Sequence, residues 1–185
     1  MKNKNIIILG AARSGKSTLA KILNEEYNYS VISIDSFVSA LRDAFPELGI
    51  THSNTENKFK LLPKFVYAYV KKIIKEYPEQ KFVLEGWHVY PDDMARLFAN
   101  DDMKMICLGY IDISCDEALT LIRENENDNS YTKMMNDDEV KKLILSHIEY
   151  SRILKKKCES CGVEFWDTSF DRDKKLREII DNIVK

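Results

Sequence analysis

The chain has 185 residues, 44% of them hydrophobic and 31% charged, with a formal net charge of −2. That length suits one domain with a full core that needs neither disulfides nor a structural metal. The charge balance gives no basic field for nucleic acid or an anionic membrane surface, no apolar run approaches the roughly 20 residues that span a bilayer, and four cysteines do not make a disulfide framework.

Met1 to Asn5 is polar and runs straight into the apolar Ile6 to Leu9, which is unlike a signal peptide, so a cytoplasmic protein is expected. Ile6 to Leu9 reads as a strand covered on both faces, as in a parallel sheet. Lys16 to Tyr27 reads as a helix, with Leu19, Ile22 and Leu23 on one face. Tyr29 to Ile34 is a second strand ending at Asp35, and a helix is expected from Ser36 to about Ala44. Ser53 and Glu56 have capping-box spacing, and the apolar residues from Phe59 to Ile74 keep a helical period in which Pro63 should mark a kink or the true start. Lys81 to Leu84 is a third strand, followed by Glu85-Gly86. Pro91-Asp92-Asp93 opens a helix. Lys104 to Ile111 is a fourth strand. Ser114 with Glu117 caps a helix to about Glu126, and Asn136 with Glu139 caps a long one to about Lys157. Between them Asn127 to Asn136 is polar and is expected to be a mobile loop. Val163 to Trp166 is a fifth strand, and Leu176, Ile179, Ile180, Ile183 and Val184 mark the last helix.

Alternating strands and helices imply an α/β domain over residues 1–185, with a parallel sheet and helices on both faces. Ligands of such sheets sit beyond the carboxyl ends of the strands. The residues just after the strands therefore carry the functional reading. After the first strand, Gly10-Ala11-Ala12-Arg13-Ser14-Gly15-Lys16-Ser17 matches G-x-x-x-x-G-K-[ST], the Walker A or P-loop pattern. Its glycines let successive N–H groups point at phosphate oxygens, and the following helix adds its positive dipole end, so that Gly10 through Thr18 are the candidate nucleotide-binding residues. Lys16, taken as a solvent-facing charge, would reach the β- and γ-phosphates, and Ser17 would sit on Mg²⁺. Arg13 is expected to point outward, where it can stack on adenine. Asp35 is placed beside this loop, as an acceptor of a hydroxyl proton, a ligand of magnesium water, or a helix cap. Glu85 is placed to orient magnesium water or to hold a substrate hydroxyl. His88 lies near the cleft, whereas His52 and His147 are placed outside it. Cys158-Glu-Ser-Cys161 lacks two further ligands for zinc and reads as a helix-end turn with Gly162.

Five pieces together carry a resemblance. They are the first strand with its phosphate loop, Ser33-Ile-Asp35-Ser-Phe37, Val83-Leu-Glu85-Gly86-Trp-His88, Cys107-Leu-Gly-Tyr-Ile-Asp112, and Phe165-Trp-Asp167-Thr-Ser169. They span nearly the whole chain. In that order they resemble the P-loop small-molecule kinases, which include nucleoside and nucleotide, shikimate, gluconate and 2-phosphoglycerate kinases and chloramphenicol phosphotransferase. The resemblance implies a three-layer α/β/α fold with a five-stranded sheet in order 2-3-1-4-5. It also implies ATP and Mg²⁺ as cofactors, transfer of the γ-phosphate to a hydroxyl of a small metabolite, and Asp35 as general base. Residues 127–136 would form a lid, and Arg123 or Arg152 would carry charge to the transferring group. No second arginine lies near Arg123, which departs from the adenylate-kinase pattern. Arg42 and Arg96, on helices expected to border the acceptor, are candidates for an anionic group on it, and Trp87, His88, Tyr90, Tyr67 and Tyr69 are candidates for its lining. The expected partner is a small-molecule phosphoacceptor, with no nucleic acid and no membrane, for a monomer or homodimer. The alternative is a nucleotide-dependent regulatory ATPase or switch without a phosphoacceptor; the absence of an N-K-x-D tetrapeptide argues against a GTPase.

Overall fold

The computed structural model describes residues 4–53, 56–126, 128 and 130–184. Strands β1 (Asn5–Gly10), β2 (Tyr29–Ser33), β3 (Lys81–Gly86), β4 (Met103–Gly109) and β5 (Glu164–Asp167) form one sheet in the order β2-β3-β1-β4-β5. Every pairing is parallel. Among the described residues the helices are α1 (Lys16–Tyr27), α2 (Ile34–Ala44), α3 (Glu56–Glu76), α4 (Pro91–Leu97), α5 (Cys115–Glu124), α6 (Asp137–Cys161) and α7 (Arg172–Val184). Short 3-10 turns cover Pro46–Leu48 and Tyr131–Met134.

The strand period of two divides β1 between two cores. Ile6 and Ile8 pack with Leu19, Ala20 and Leu23 of α1 and Leu176, Ile179, Ile180 and Ile183 of α7. Ile7 and Leu9 pack with Val38 of α2, Leu62, Val66 and Val70 of α3, Met94 of α4 and Ile144 of α6. Such a strand has no solvent face, which explains why its residues are continuously apolar. No helix among the described residues is long and apolar enough to cross a membrane.

Several boundaries differ from the sequence reading for local reasons. The fourth strand stops at Gly109, because side chains then satisfy the backbone: Tyr110 N–H donates to Ser151 Oγ, and the N–H groups of Ile111 and Asp112 both donate to Ser169 Oγ. Helix α2 starts at Ile34, so Asp35 lies in its first turn. Pro63 lies buried inside α3 and does not mark its start; the cap expected at Ser53 and Glu56 spans Asn54 and Thr55, which lie outside the described residues. Helix α6 runs to Cys161, where Gly162 (φ 72°) donates its N–H to Cys158 O, so Cys158 and Cys161 form the helix-end turn expected. Both capping boxes, at Ser114 with Glu117 and Asn136 with Glu139, are formed.

The strand that carries Glu85 meets the helix that carries Asp35 at Gly86. A Cβ there would lie 2.5 Å from Ile34 Cβ, inside any real contact. Gly86→Ala should therefore push α2 away from β3. The expected loss is about 1 to 3 kcal/mol of stability, the range for overpacked cores. It should appear as a lower denaturant midpoint at unchanged slope.

Candidate active site

The loop between β1 and α1 is shaped by three residues with positive φ: Gly10 (146°), Arg13 (64°) and Gly15 (94°). Gly10 is obligatory, since a Cβ would fall 2.0 Å from Leu108 O. Ala11 N–H then donates to that same carbonyl, at 3.0 Å, which ties the loop to β4. On the far side Thr168 Oγ1 lies 3.0 Å from Ser14 O and 3.1 Å from Gly109 O, its one proton shared between them, so the segment after β5 is stapled to the loop as well. Gly15 caps α1 with its backbone alone, leaving the first N–H groups of α1 at the site. Ala12 is half-buried and Thr18 exposed.

Lys16 is 6% exposed, which corrects the expectation of a solvent-facing charge. Its stem folds back beneath the loop, and Nζ donates to Ala11 O at 2.6 Å. Burial lowers its pKa, and the carboxylates of Glu85 and then Asp35 oppose that. Ser14 Oγ is buried with no partner among the described residues. A ring of backbone donors, a buried ammonium and an orphaned hydroxyl are a polar set that an oxyanion would satisfy.

Ser17 Oγ donates to Glu85 Oε2, at 3.1 Å, although 68 residues separate them. Register places Glu85 opposite Ile8 of β1 and Ser33 of β2. A buried carboxylate joined to a hydroxyl gives hard oxygen donors of the kind that suit Mg²⁺ or its waters.

Asp35 has one buried oxygen, Oδ1, without a hydrogen-bond partner among the described residues, while the side chain as a whole is 46% exposed. Burial raises its pKa; Lys16 opposes this, Glu85 adds to it, and His52 and Lys58 oppose it. Behind it lies a group that sequence reasoning missed. His88 is fully buried, and its Nε2 lies 3.5 Å from Asp35 Oδ1 and 3.1 Å from His52 Nδ1. Lys58 is also fully buried, with Nζ 3.3 Å from His88 Nδ1 and a bond to His52 O at 3.4 Å. The rings of Phe59 and Trp87 stand 4.9 and 5.2 Å from that ammonium. Burial brings Lys58 down to about 8, against the pull of Asp35. His88 falls to about 3 through burial, Lys58, His52 and Lys16. His52 thus belongs to the cleft, contrary to the sequence reading. His147 also feels Lys16 and Arg13, is lowered to about 4 chiefly by burial, and bonds Tyr110 Oη at 3.1 Å. The signal for Lys58 was weak: it precedes the helical period that starts at Phe59, where it reads as one more surface lysine.

The arginines are placed differently from one another. Arg123 binds Thr132 O (3.1 Å), Met135 O (2.8 Å), Glu126 and Asp137, and so pins the segment that precedes α6. Asn127 and Asn129 of the expected loop lie outside the described residues. Arg13 turns onto the same segment, donating to Thr132 Oγ1 at 3.2 Å with its guanidinium 5.3 Å from the Tyr131 ring centre. Arg152 is exposed beside Glu149. Arg42 and Arg96 are exposed, paired with Asp43 and Asp93, and the structure does not bring them to the Asp35 group. Tyr67 packs edge-on against Phe98 in the core, Tyr69 against Phe37, and Tyr90 stacks on Phe59. Arg172, unmarked in the sequence, is largely buried next to Gly15, with Nε unpartnered among the described residues.

No family model matches the sequence, and no curated protein matches it significantly. By structure the chain is similar to a shikimate kinase from Bacteroides thetaiotaomicron, with TM-score 0.59, 16% identity and 98% of each chain covered. It is similar to a gluconokinase from Sinorhizobium meliloti 1021, with TM-score 0.59, 12% identity, and 97% of this chain and 91% of that one covered. A sugar kinase from Janibacter sp. HTCC2649 gives TM-score 0.62 at 12% identity, with 97% and 93% covered. These neighbours are P-loop small-molecule kinases, and the chain has their fold, with the sheet order expected.

The lowered Lys58 has a measurable consequence. Between about pH 8 and 10.5 the unfolded chain holds a proton at this position that the folded chain has released, so stability from this group rises with pH across that window. A shift of this size corresponds to about 3 kcal/mol. Urea midpoints of the parent and of Lys58→Met, compared from pH 7.5 to 10, should show the parent gaining on the variant as pH rises. Parallel curves would contradict the buried ammonium.

Proposed function

We propose that the protein is an ATP-dependent phosphotransferase, acting with Mg²⁺ on a hydroxyl of a small metabolite. The observation that carries this reading is the meeting of Lys16, Ser17 and Glu85 with a half-exposed carboxylate, Asp35, at the carboxyl edge of the sheet. A regulatory ATPase would need the first three and have no use for the fourth.

In this reading Gly10 to Thr18 hold the triphosphate through backbone N–H groups and the Lys16 ammonium, which exchanges its bond with Ala11 O for phosphate oxygens. Ser14 Oγ, without a partner among the described residues, gains one in the same event. Ser17 and Glu85 would hold the magnesium, which would draw charge from the transferring phosphoryl group. ATP with its metal supplies the electrophilic phosphoryl group. Asp35 accepts the proton of the acceptor hydroxyl. Burial raises its pKa, and with it the basicity of the carboxylate; Lys16 opposes that rise, Glu85 adds to it, and His52 and Lys58 oppose it. Phe170, 60% exposed in the segment stapled to the phosphate loop, lies between two depressions of about 360 Å³ and offers a face for the purine. Residues 130–136 act as a lid that excludes water. Arg123 holds that lid together through Thr132 O and Met135 O.

A screen of hydroxylated metabolites for ATP consumption should identify the acceptor, and two variants then test the roles. Asp35→Asn should lower kcat by about 10²- to 10⁴-fold with little change in ATP affinity, which is the usual worth of a general base. Lys16→Met, chosen because the site is buried, should abolish ATP binding while the protein stays folded. Normal turnover by the first, or normal ATP binding by the second, would refute the assignment concerned.

The lid leads to a separate expectation. Amides of residues 130–136 should exchange with solvent more slowly when a bisubstrate analogue is bound, and Arg123→Ala should speed exchange in the free protein. Identical protection with and without the analogue would count against closure.

A further inference from the structure

The buried pair behind Asp35 carries a proton arrangement that its geometry dictates. An ammonium has protons and no lone pair, so a hydrogen bond between Lys58 Nζ and His88 Nδ1, at 3.3 Å, makes Nδ1 the acceptor. His88 is buried and faces a cation, so its ring is neutral, and a neutral ring that accepts at Nδ1 carries its proton on Nε2. That N–H faces His52 Nδ1 at 3.1 Å and Asp35 Oδ1 at 3.5 Å. Accepting at Nδ1 in turn leaves His52 to donate from Nε2 to Ser39 Oγ, at 3.1 Å. One direction of donation therefore runs from Lys58 through His88 to His52 and Ser39, and every described contact along it is consistent with that direction.

Asp35 Oδ1 lies beside this chain with no hydrogen bond of its own among the described residues. A buried carboxylate oxygen without a donor is costly, and His88 Nε2 lies 3.5 Å from it with its one N–H given to His52 Nδ1. Hydrogen bonds of catalytic groups often run long in ligand-free sites and tighten when the substrate arrives.

We propose that Lys58 and His88 are positioning residues for Asp35: the buried ammonium holds the His88 ring in the Nε2–H tautomer, and that N–H, donated to His52, stands beside Oδ1 as a fixed dipole that orients the carboxylate so that its other oxygen is presented to the acceptor. The proposal rests on the reading of Asp35 as the base. It requires no change of charge in the histidine. The ring acts as a fixed dipole whose sense is set from behind by a lysine that never meets the substrate.

Long-range nitrogen–proton NMR correlation on the full-length protein at neutral pH tests the tautomer directly. His88 should show a pyridine-type Nδ1 and a pyrrole-type Nε2. An imidazolium, or the Nδ1–H tautomer, would overturn the proposal. In Lys58→Met the obligate donor is gone, and signal from the Nδ1–H tautomer should appear; an unchanged His88 would show that Lys58 does not set it. The carboxyl carbon of Asp35, titrated in the same samples, reports the contact to the base. Replacing His88 by Leu should raise the Asp35 pKa, as the N–H dipole beside the anion is lost. His88→Gln, which can accept and donate at similar positions, should restore it. An Asp35 titration unmoved by His88→Leu would leave His88 a packing residue only. If His88→Leu fails to fold, the parent and Lys58→Met spectra decide. None of these measurements needs nucleotide or acceptor. Full turnover by Asp35→Asn would remove the base reading, whereas a wrong tautomer removes the relay alone.

Discussion

The contact between Gly86 and Ile34 sets how closely β3 and α2 approach, and most of the site depends on that spacing. Glu85 precedes the glycine and Asp35 follows the isoleucine. Two carboxylates on separate elements are brought to one edge because the chain has no Cβ at residue 86. The rest of the edge is assembled by side chains that take over where strand pairing stops. Ser151 and Ser169 receive the N–H groups beyond β4, and Thr168 ties the segment after β5 to the phosphate loop. A parallel sheet leaves its carboxyl edge short of partners, and here hydroxyl groups fill that deficit while leaving the loop's own N–H groups for a ligand.

Electrostatically, the cleft is balanced without being neutralised pair by pair. Lys16 and Lys58 are both buried and both lowered by burial; Asp35 is raised by it. Lys16 and Lys58 favour the charged form of Asp35, and Asp35 favours theirs. Direct pairing of Lys58 with Asp35 would saturate the carboxylate and depress its basicity. The neutral ring of His88 between them transmits orientation while keeping the charges apart. The arrangement also explains why Lys58 is wrapped by Phe59 and Trp87: rings stabilise a cation without adding a proton acceptor that would compete with His88.

How far the sequence foretold this depends on the range of the interactions involved. The five strands, the helix starting at Lys16, the two capping boxes and the sheet order follow from periodicity, capping spacing and family resemblance, and the structure has them. The phosphate loop is equally local. Asp35 and Glu85 were legible as carboxylates at strand ends, but not the hydroxyl bond from Ser17 to Glu85, which joins residues far apart in sequence. Lys58 and His52 were not legible as part of the cleft. Residue 58 reads as one more surface lysine until the fold of residues 45–53 brings His52 over it, and that stretch has no period from which its path can be inferred. Arg42 and Arg96 misled in the opposite sense. Charge on a helix near a pocket suggests a ligand, yet each has an acidic neighbour within three residues that satisfies it locally.

Arg13 shows how the nucleotide loop and residues 130–136 are mechanically joined. It is a non-glycine residue at φ 64°, a conformation that costs about 1 kcal/mol or more for an L side chain. Glycine at this position would relieve that cost. What the arginine gains is its bond to Thr132 Oγ1 and its contact with the Tyr131 ring, both on the segment that Arg123 holds from the other side. Because the strained residue lies within the phosphate loop, any rearrangement of the loop around an anion changes the direction of the Arg13 side chain. The segment before α6 meets that side chain at two residues, Thr132 and Tyr131. Coupling of loop and segment therefore needs no long path through the core. It is built into one residue whose backbone belongs to the loop between β1 and α1 and whose guanidinium meets the segment before α6.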